Sequence, residues 1–225
     1  MALFTDWDGT VTLQDCNDLL TDDLGMGKNS RLVLNNEIFN NETSFRVAFD
    51  KMLKSVSNNN HSIYDCINYL KNHIKLDPGF KPTVEYCYQN NIPVIIVSSG
   101  MSLVIKELLQ LLLPEDNLRN YIQIIANDVK INDNDGTWEI KYRDDTSFGH
   151  DKNQSIINII NNWNDSKRPL IYSGDGVSDI SAARSCDILL AKKGCDLISI
   201  CQRDNVKYRE FKDFNEILEI IKSTI

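Results

Sequence analysis

Positive charge is scarce in this chain of 225 residues and nowhere concentrated: lysine and arginine number 24 against 32 aspartates and glutamates, a formal net charge of −8. Nucleic-acid phosphates need a positive surface, so a nucleic-acid partner is excluded, although a single lysine can still bind a small anion. Long apolar runs are also missing. No stretch approaches the roughly 20 residues that span a bilayer, and the N-terminus has neither a basic leader nor a small-residue cleavage site. A soluble, cytoplasmic protein with no membrane partner is expected. The cysteines at positions 16, 66, 87, 186, 195 and 201 include no C-x-x-C pair, which excludes the common zinc spacing and reads as reduced, mostly buried thiols. Internal repeats of supersecondary size and low-complexity segments are absent as well.

What remains is a hydrophobic fraction of 42%, enough for one large α/β domain or for a domain carrying a smaller insert. The run ALFT at 2–5 reads as a short buried parallel strand. Apolar residues then follow helical spacing: Leu19, Leu20 and Leu24; Phe45, Phe49, Met52 and Leu53; Ile63, Ile67 and Leu70. Residues 15 to about 77 therefore read as an all-helical insert. After the break LDPG at 76–79 come a helix over 84–90, the β-branched run PVIIVSSG at 93–100, and a helix over 102–113, the strand-loop-helix order of a doubly wound sheet. A short strand is predicted over 122–126. Segments 129–131 and 138–142 predict a β-hairpin with Asp135-Gly136 at its tip. Further expectations are a helix over 152–163, a strand over 170–173, a helix over 180–186, a strand over 188–191 and a final helix over 215–222.

The pattern DxDGT occurs twice, at 6–10 and at 133–137. The second copy falls on the hairpin tip, where Asp-Gly is ordinary turn chemistry. The first ends a buried strand. Residues two apart on a strand share a side, so Asp6 and Asp8 can enter one site. There, one carboxylate can act as nucleophile or metal ligand while the other exchanges a proton. Gly9 lets the backbone approach an anion, and the Thr10 hydroxyl can pin the loop. Ser98, with the backbone amides of Ser99 and Gly100, can meet a phosphate at a helix start, and Lys152 can add one positive charge. Asp175 and Asp179 offer the oxygen ligands that Mg²⁺ prefers. All these positions lie at strand ends or helix starts, hence at the carboxyl edge of the sheet.

DWDGTVT at 6–12, VSSG at 97–100, Lys152 and GDGVSD at 174–179 together resemble the four ordered motifs of the haloacid dehalogenase superfamily. The helical insert resembles the small cap of its phosphoserine phosphatase-like branch. Within that branch, LQDCND at 13–18, LDPGF at 76–80, 97–101 and FGHDK at 148–152 look most like the fungal polyol phosphatases. The resemblance implies a Rossmann-like α/β core over 1–14 and 80–225, with a helical cap over 15–79 and a hairpin. It implies Asp6 as nucleophile, forming an aspartyl-phosphate, and Asp8 as the acid and base. It also implies Mg²⁺ on Asp6, the Asp8 carbonyl and Asp175, with Asp179 holding the metal's waters or orienting Lys152. Gly9, Ser98, Ser99 and Lys152 would bind the phosphoryl group. Asp15 and Arg46 fall where phosphoserine-specific relatives keep an acid and an arginine for the amino acid. The acid here is aspartate and not the longer glutamate, which counts against phosphoserine. Trp7 is expected to pack on the opposite face of the strand.

A calcium loop is excluded because Gly9 is fourth and neither Val11 nor Asn17 fits the glycine and glutamate that its sixth and twelfth places require. A phospho-receiver domain lacks a helical insert, and its lysine follows all its aspartates, whereas Lys152 precedes Asp175. His150 reads as a loop or helix-cap residue. The expectation is a phosphomonoesterase acting on a small phosphorylated metabolite such as sorbitol 6-phosphate, ribitol 5-phosphate or glycerol 3-phosphate. A phosphoserine phosphatase is the alternative, ahead of a phosphomutase or a non-catalytic sugar-phosphate sensor.

Overall fold

A computed structural model of the chain describes residues 1–132, 134–163 and 167–224. Among them are the strands β1 (Ala2–Thr5), β2 (Val94–Met101), β3 (Ile122–Ile131), β4 (Trp138–Lys141), β5 (Leu170–Gly174), β6 (Ile188–Lys192) and β7 (Arg209–Phe211). They form one sheet in the order β4-β3-β2-β1-β5-β6-β7, parallel throughout except where β3 meets β4. Four residues suffice for β1 because it is central and covered on both sides. Leu3 enters one apolar cluster while Ala2 and Phe4 enter the other, as side chains alternating across a strand must. The chain leaves β1 toward β2 on one side and returns as β5 on the other, so the crevice at the carboxyl end of β1 is the switch point where α/β sheets bind ligands.

Between β1 and α5 (Phe80–Gln89) lie α1 (Cys16–Asp23), α2 (Lys28–Phe39), α3 (Phe45–Asn58) and α4 (Ile63–Lys71). This helical segment leaves and returns at one place. Thr12 bridges Leu76 in antiparallel fashion, with the Leu13 amide 2.9 Å from the Lys75 carbonyl and the Asp77 amide 2.9 Å from that of Val11. Its helices start on side-chain caps: Ser44 accepts from the Val47 amide before α3, and Ser62 forms a reciprocal capping box with Asp65 before α4. The remaining elements are α6 (Ser102–Leu112), α7 (Asp116–Tyr121), α8 (Lys152–Ile160), a 3₁₀ helix (Val177–Arg184), α9 (Asp196–Arg203) and α10 (Phe214–Thr224). No helix of the described residues is long and apolar enough to cross a membrane.

Several elements differ from the sequence expectation. The helix after the LDPG break starts at Phe80, four residues earlier than predicted, because Pro82 falls in its first turn, where no intrahelical donor is lost. The predicted strands at 122–126 and 129–131 are one continuous strand, whose first part pairs with β2 and whose end pairs with β4. The segment after GDG is a 3₁₀ helix over Val177–Arg184 in place of a helix over 180–186. At the hairpin tip Asp133 lies outside the described residues. Asp135 accepts from the Thr137 amide at 3.0 Å, and Gly136 adopts φ +73°, as a turn requires.

Candidate active site

Asp6 and Asp8 stand just past the end of β1, and both are buried, but their surroundings differ. Asp6 Oδ1 is 2.9 Å from Lys152 Nζ. Burial pushes its carboxyl up to about 7, reinforced by Asp179 and opposed by Lys152. Asp8 turns toward the helical segment: Oδ1 accepts from the Cys16 amide at 2.9 Å and Oδ2 from Asn17 Nδ2 at 3.0 Å. Burial, with the Asp15 charge nearby, holds its carboxyl well above the ordinary range. Two neighbouring carboxyls are thus set apart, one against an ammonium and one among neutral donors.

The loop at Gly9 is tightly specified. Its φ is +68°, and a Cβ there would come within 2.4 Å of Asp175 Oδ2. Thr10 Oγ1 donates to Asp175 Oδ1 at 3.2 Å, so the hydroxyl pins the loop to the far side of the crevice. Lys192, at the end of β6, donates to the Gly9 carbonyl at 2.5 Å.

Lys152 opens α8 behind the Asp151 cap and is fully buried. Burial opposes its charge, but Asp179 and Asp6 outweigh it and hold the ammonium above its ordinary value. Asp179 has both oxygens occupied. Oδ1 accepts from Lys152 Nζ at 2.6 Å and from the Tyr172 hydroxyl at 2.5 Å. Oδ2 accepts from the Asp175 and Gly176 amides, each at 2.9 Å. Of the two tasks the sequence left open for Asp179, these bonds favour orienting Lys152.

Carboxylate oxygens of Asp6, Asp175 and Asp179 lie within 4.8 Å of one another. Burial, with Asp179 next, pushes Asp175 well up. Such crowding of buried carboxyls, all oxygen donors, fits a small hard cation; with Asp179 occupied, Asp6 Oδ1 on Lys152 and Asp175 Oδ1 on Thr10, the oxygens left for it are Asp6 Oδ2 and Asp175 Oδ2.

At the end of β2 the Ser98 hydroxyl accepts from the Gly100 amide at 2.9 Å. That amide is therefore not free for a phosphate, contrary to the sequence expectation, because the serine side chain turns back on its own loop. Among the described residues Ser99 Oγ is the buried hydroxyl without a partner, and Ser99 lines the crevice. A Cβ on Gly100 would stand 2.9 Å from Asp8 Oδ2, so only glycine leaves the second aspartate its place. His150 is buried between the Ser98 carbonyl (Nδ1, 2.7 Å) and Ser155 Oγ (Nε2, 2.8 Å). Burial lowers it to about 4, leaving a neutral, fully bonded ring that positions β2 on α8. Trp7 is fully buried.

A cavity of about 360 Å³ opens above this group. The sheet edge gives it Asp6, Asp8, Ser98, Ser99 and Asp175, with Asp196 beside them; the helical segment gives it Asp15, Asn17, Asp18 and Asn35 and an apolar wall of Ile38, Phe45, Phe49 and Met52. No lysine, arginine or histidine of the described residues lines it. Asp15 is at the cavity, but its Oδ1 caps α1, accepting from the Asn17 amide at 2.7 Å and the Asp18 amide at 2.9 Å. Arg46, predicted to meet substrate, faces elsewhere. Its guanidinium lies 4.8 Å from the Tyr142 ring centroid and bonds the Asp144 carbonyl and Asp145 Oδ1, each at 3.1 Å. The helical position one residue from Phe45 turns it about 100° off the cavity-facing side.

Sequence reasoning missed Asn17, Tyr172 and Lys192. Lys192 was within reach of the strand-end rule, since it ends a parallel strand beside β5. Nothing in the strand LIYSG marks the Tyr172 hydroxyl as more than core.

A family model described as haloacid dehalogenase-like hydrolase matches residues 3–184. The polyol phosphate phosphatase of Saccharomyces cerevisiae is 44% identical over 231 residues, covering 100% of this chain and 93% of the relative. The Pdp3-interacting factor 1 of Schizosaccharomyces pombe is 45% identical over 219 residues, covering 96% and 93%. A substrate-bound phosphoserine phosphatase complex superposes with a TM-score of 0.72 at 16% identity, over 97% of each chain.

Proposed function

Because the chain belongs to the haloacid dehalogenase-like hydrolases, we propose that it is a phosphomonoesterase acting on small polyol phosphates, with residues 15–79 as a cap over a core of 1–14 and 80–225. The observation that carries the chemistry is the unequal setting of Asp6 and Asp8. Lys152 fixes one oxygen of Asp6 and keeps the carboxylate aimed at the crevice, where it attacks phosphorus in line as the ester P–O bond breaks. Asp8, whose hold on a proton burial strengthens, gives that proton to the departing alkoxide. It then takes a proton from the water that attacks the aspartyl-phosphate, releasing inorganic phosphate and restoring Asp6. Lys152 and the Ser98 and Ser99 hydroxyls hold the phosphoryl oxygens, a mainly electrostatic task. Asp6, the Asp8 backbone carbonyl and Asp175 would hold Mg²⁺, whose charge offsets the repulsion between carboxylate and phosphate. Cap movement about the paired 11–14 and 74–77 segments admits substrate and excludes water. The free, unpaired thiols suit a cytoplasmic setting.

The leaving group is read by the cavity's charge. The carboxylate of a leaving group such as serine would find no cation on the wall, since Arg46 is engaged elsewhere, and only its ammonium could meet Asp15 and Asp18. A neutral polyol needs no such cation, and the yeast relative is named for polyol phosphates. The test is phosphate release from sorbitol 6-phosphate, ribitol 5-phosphate, glycerol 3-phosphate, phosphoserine and an aryl phosphate, with and without Mg²⁺. Metal-dependent release favouring the polyols, abolished by Asp6→Asn, is expected. Preference for phosphoserine would replace the substrate class, phosphate migration without release would indicate a mutase, and no turnover of any ester would leave a sensor.

A further inference from the structure

One polar feature of the cavity takes no part in the catalytic scheme. Asp18, in the first turn of α1, lines the cavity, and its Oδ2 is 2.6 Å from Arg31 Nη1. Arg31 is itself buried and fork-held by Asp22, with Nε to Oδ1 at 2.6 Å and Nη2 to Oδ2 at 2.9 Å. A guanidinium gripped in this planar way is a rigid anchor, so the carboxylate it holds has a fixed orientation. Yet the Asp18 side chain remains 41% exposed, which leaves it accessible to whatever fills the cavity. The same cavity carries the Asn35 amide and an apolar wall in which Phe45 and Phe49 stack at 5.1 Å. A polyol chain has the matching halves: C–H edges for the apolar wall, and hydroxyls that need acceptors once water is expelled.

Resting on the phosphomonoesterase reading above, we propose that Asp18, held by Arg31, is a specificity-determining residue that accepts hydrogen bonds from substrate hydroxyls remote from the phosphate. The pair works in two directions. It supplies a carboxylate acceptor to a neutral polyol, Arg31 favouring the ionised form against the burial and the Asp15 charge that raise Asp18 to about 7, and it opposes any substrate with a second negative group, because Arg31 is shielded behind the carboxylates it binds.

The experiment compares Asp18→Ala and Asp18→Asn with the unaltered enzyme on the best polyol phosphate of the panel and on an aryl phosphate that has no hydroxyls to read. Asp22 keeps its two bonds to Arg31 in both variants, so the guanidinium is not orphaned, and thermal melting verifies the fold. For Asp18→Ala the ratio of kcat/KM for polyol to that for aryl phosphate should fall roughly 10- to 100-fold, the factor of one hydrogen bond to a charged acceptor. The change should lie in KM, and Asp18→Asn, which keeps an acceptor oxygen, should recover part of it. A ratio held within about twofold overturns the proposal. Should the unaltered enzyme cleave the aryl phosphate but no polyol phosphate, the phosphomonoesterase reading stands and the role of Asp18 falls; should it cleave neither, both fall.

Discussion

Tyr172 buries its ring in the apolar layer beneath β5 while its hydroxyl reaches Asp179, the carboxylate that also holds Lys152. Burial, together with the Asp179 charge, raises the phenol well above its ordinary value, so it stays protonated and remains a donor. Tyr172→Phe keeps the shape and removes that one donor. Asp179 then draws harder on Lys152, away from Asp6, and the phosphoryl-binding ammonium is misplaced. The expected result is a loss in kcat/KM of about tenfold, the low end for a hydrogen bond to a charged group. It should be equal for polyol and aryl phosphates because the damage is at the phosphate end. A loss confined to polyols, or none, would show that Tyr172 does not position Lys152. Asp6 and Asp8 were legible in the sequence because a DxDGT pattern directly follows a buried strand, although both stand past its last residue and strand alternation does not fix where they point. Tyr172 was not, since a tyrosine in an apolar strand reads as core and its partner is brought back only by the 3₁₀ turn.

At the level of elements, α3 is braced from both ends by the far side of the sheet. Trp138 on β4 donates its amide to Ser57 Oγ at 3.0 Å and its indole to the His61 carbonyl at 2.9 Å. The start of α3 is held by Arg46 on Tyr142 and by the Tyr142 hydroxyl, which donates to the Arg46 carbonyl at 3.0 Å. Arg46→Ala removes a cation–π contact and two hydrogen bonds, one part-buried and one exposed, together about 1–2 kcal/mol. Tm should drop by roughly 2–8 °C for a chain of this size, with KM for the polyol phosphate changed less than about threefold. A tenfold rise in KM at unchanged Tm would return Arg46 to the substrate. The sequence shows that α3 is amphipathic but not which neighbour its polar side meets, so Arg46 could be placed on a helix and not toward a partner. α2 was not predicted as an element for a related reason: Arg31 is buried by its ion pairs while Leu32 and Val33 are exposed, which scrambles the apolar periodicity. β7 is a three-residue edge with Arg209 and Glu210 outward, too short and too charged to register.

Over the whole molecule, a chain of net charge −8 concentrates buried carboxyls in one crevice, and its stability should report on them. Asp6 is raised from 3.8 to about 7 in the folded state by burial and then Asp179, while Asp8 and Asp175 are raised well above 3.8 by burial first. The folded state thus binds protons more tightly than the unfolded one, and the metal-free protein loses stability as pH rises through 7. His150 acts in the opposite sense. Lowered from 6.5 to about 4 chiefly by burial, it makes the unfolded state the better proton acceptor, so stability rises with pH across that window and then levels off. Above pH 6.5 the carboxyl slope, to which Asp18 at about 7 adds, is opposed only by the N-terminal ammonium, lowered by burial from its ordinary 8.0. Mg²⁺ would hold Asp6 and Asp175 ionised, so it competes with protons and binds more tightly at higher pH, adding about 2.7 kcal/mol when present at 100 times its Kd. Thermal melts should therefore show Tm falling between about pH 6.5 and 8 in chelator, and a Mg²⁺-induced rise that is larger at the higher pH. A rise of equal size at both ends would mean that the cation does not displace protons from these aspartates. Asp175→Asn tests the assignment further. It removes one crowded carboxyl together with a ligand, so the chelated variant should be more stable than the unaltered protein at pH 8 and should gain much less from Mg²⁺.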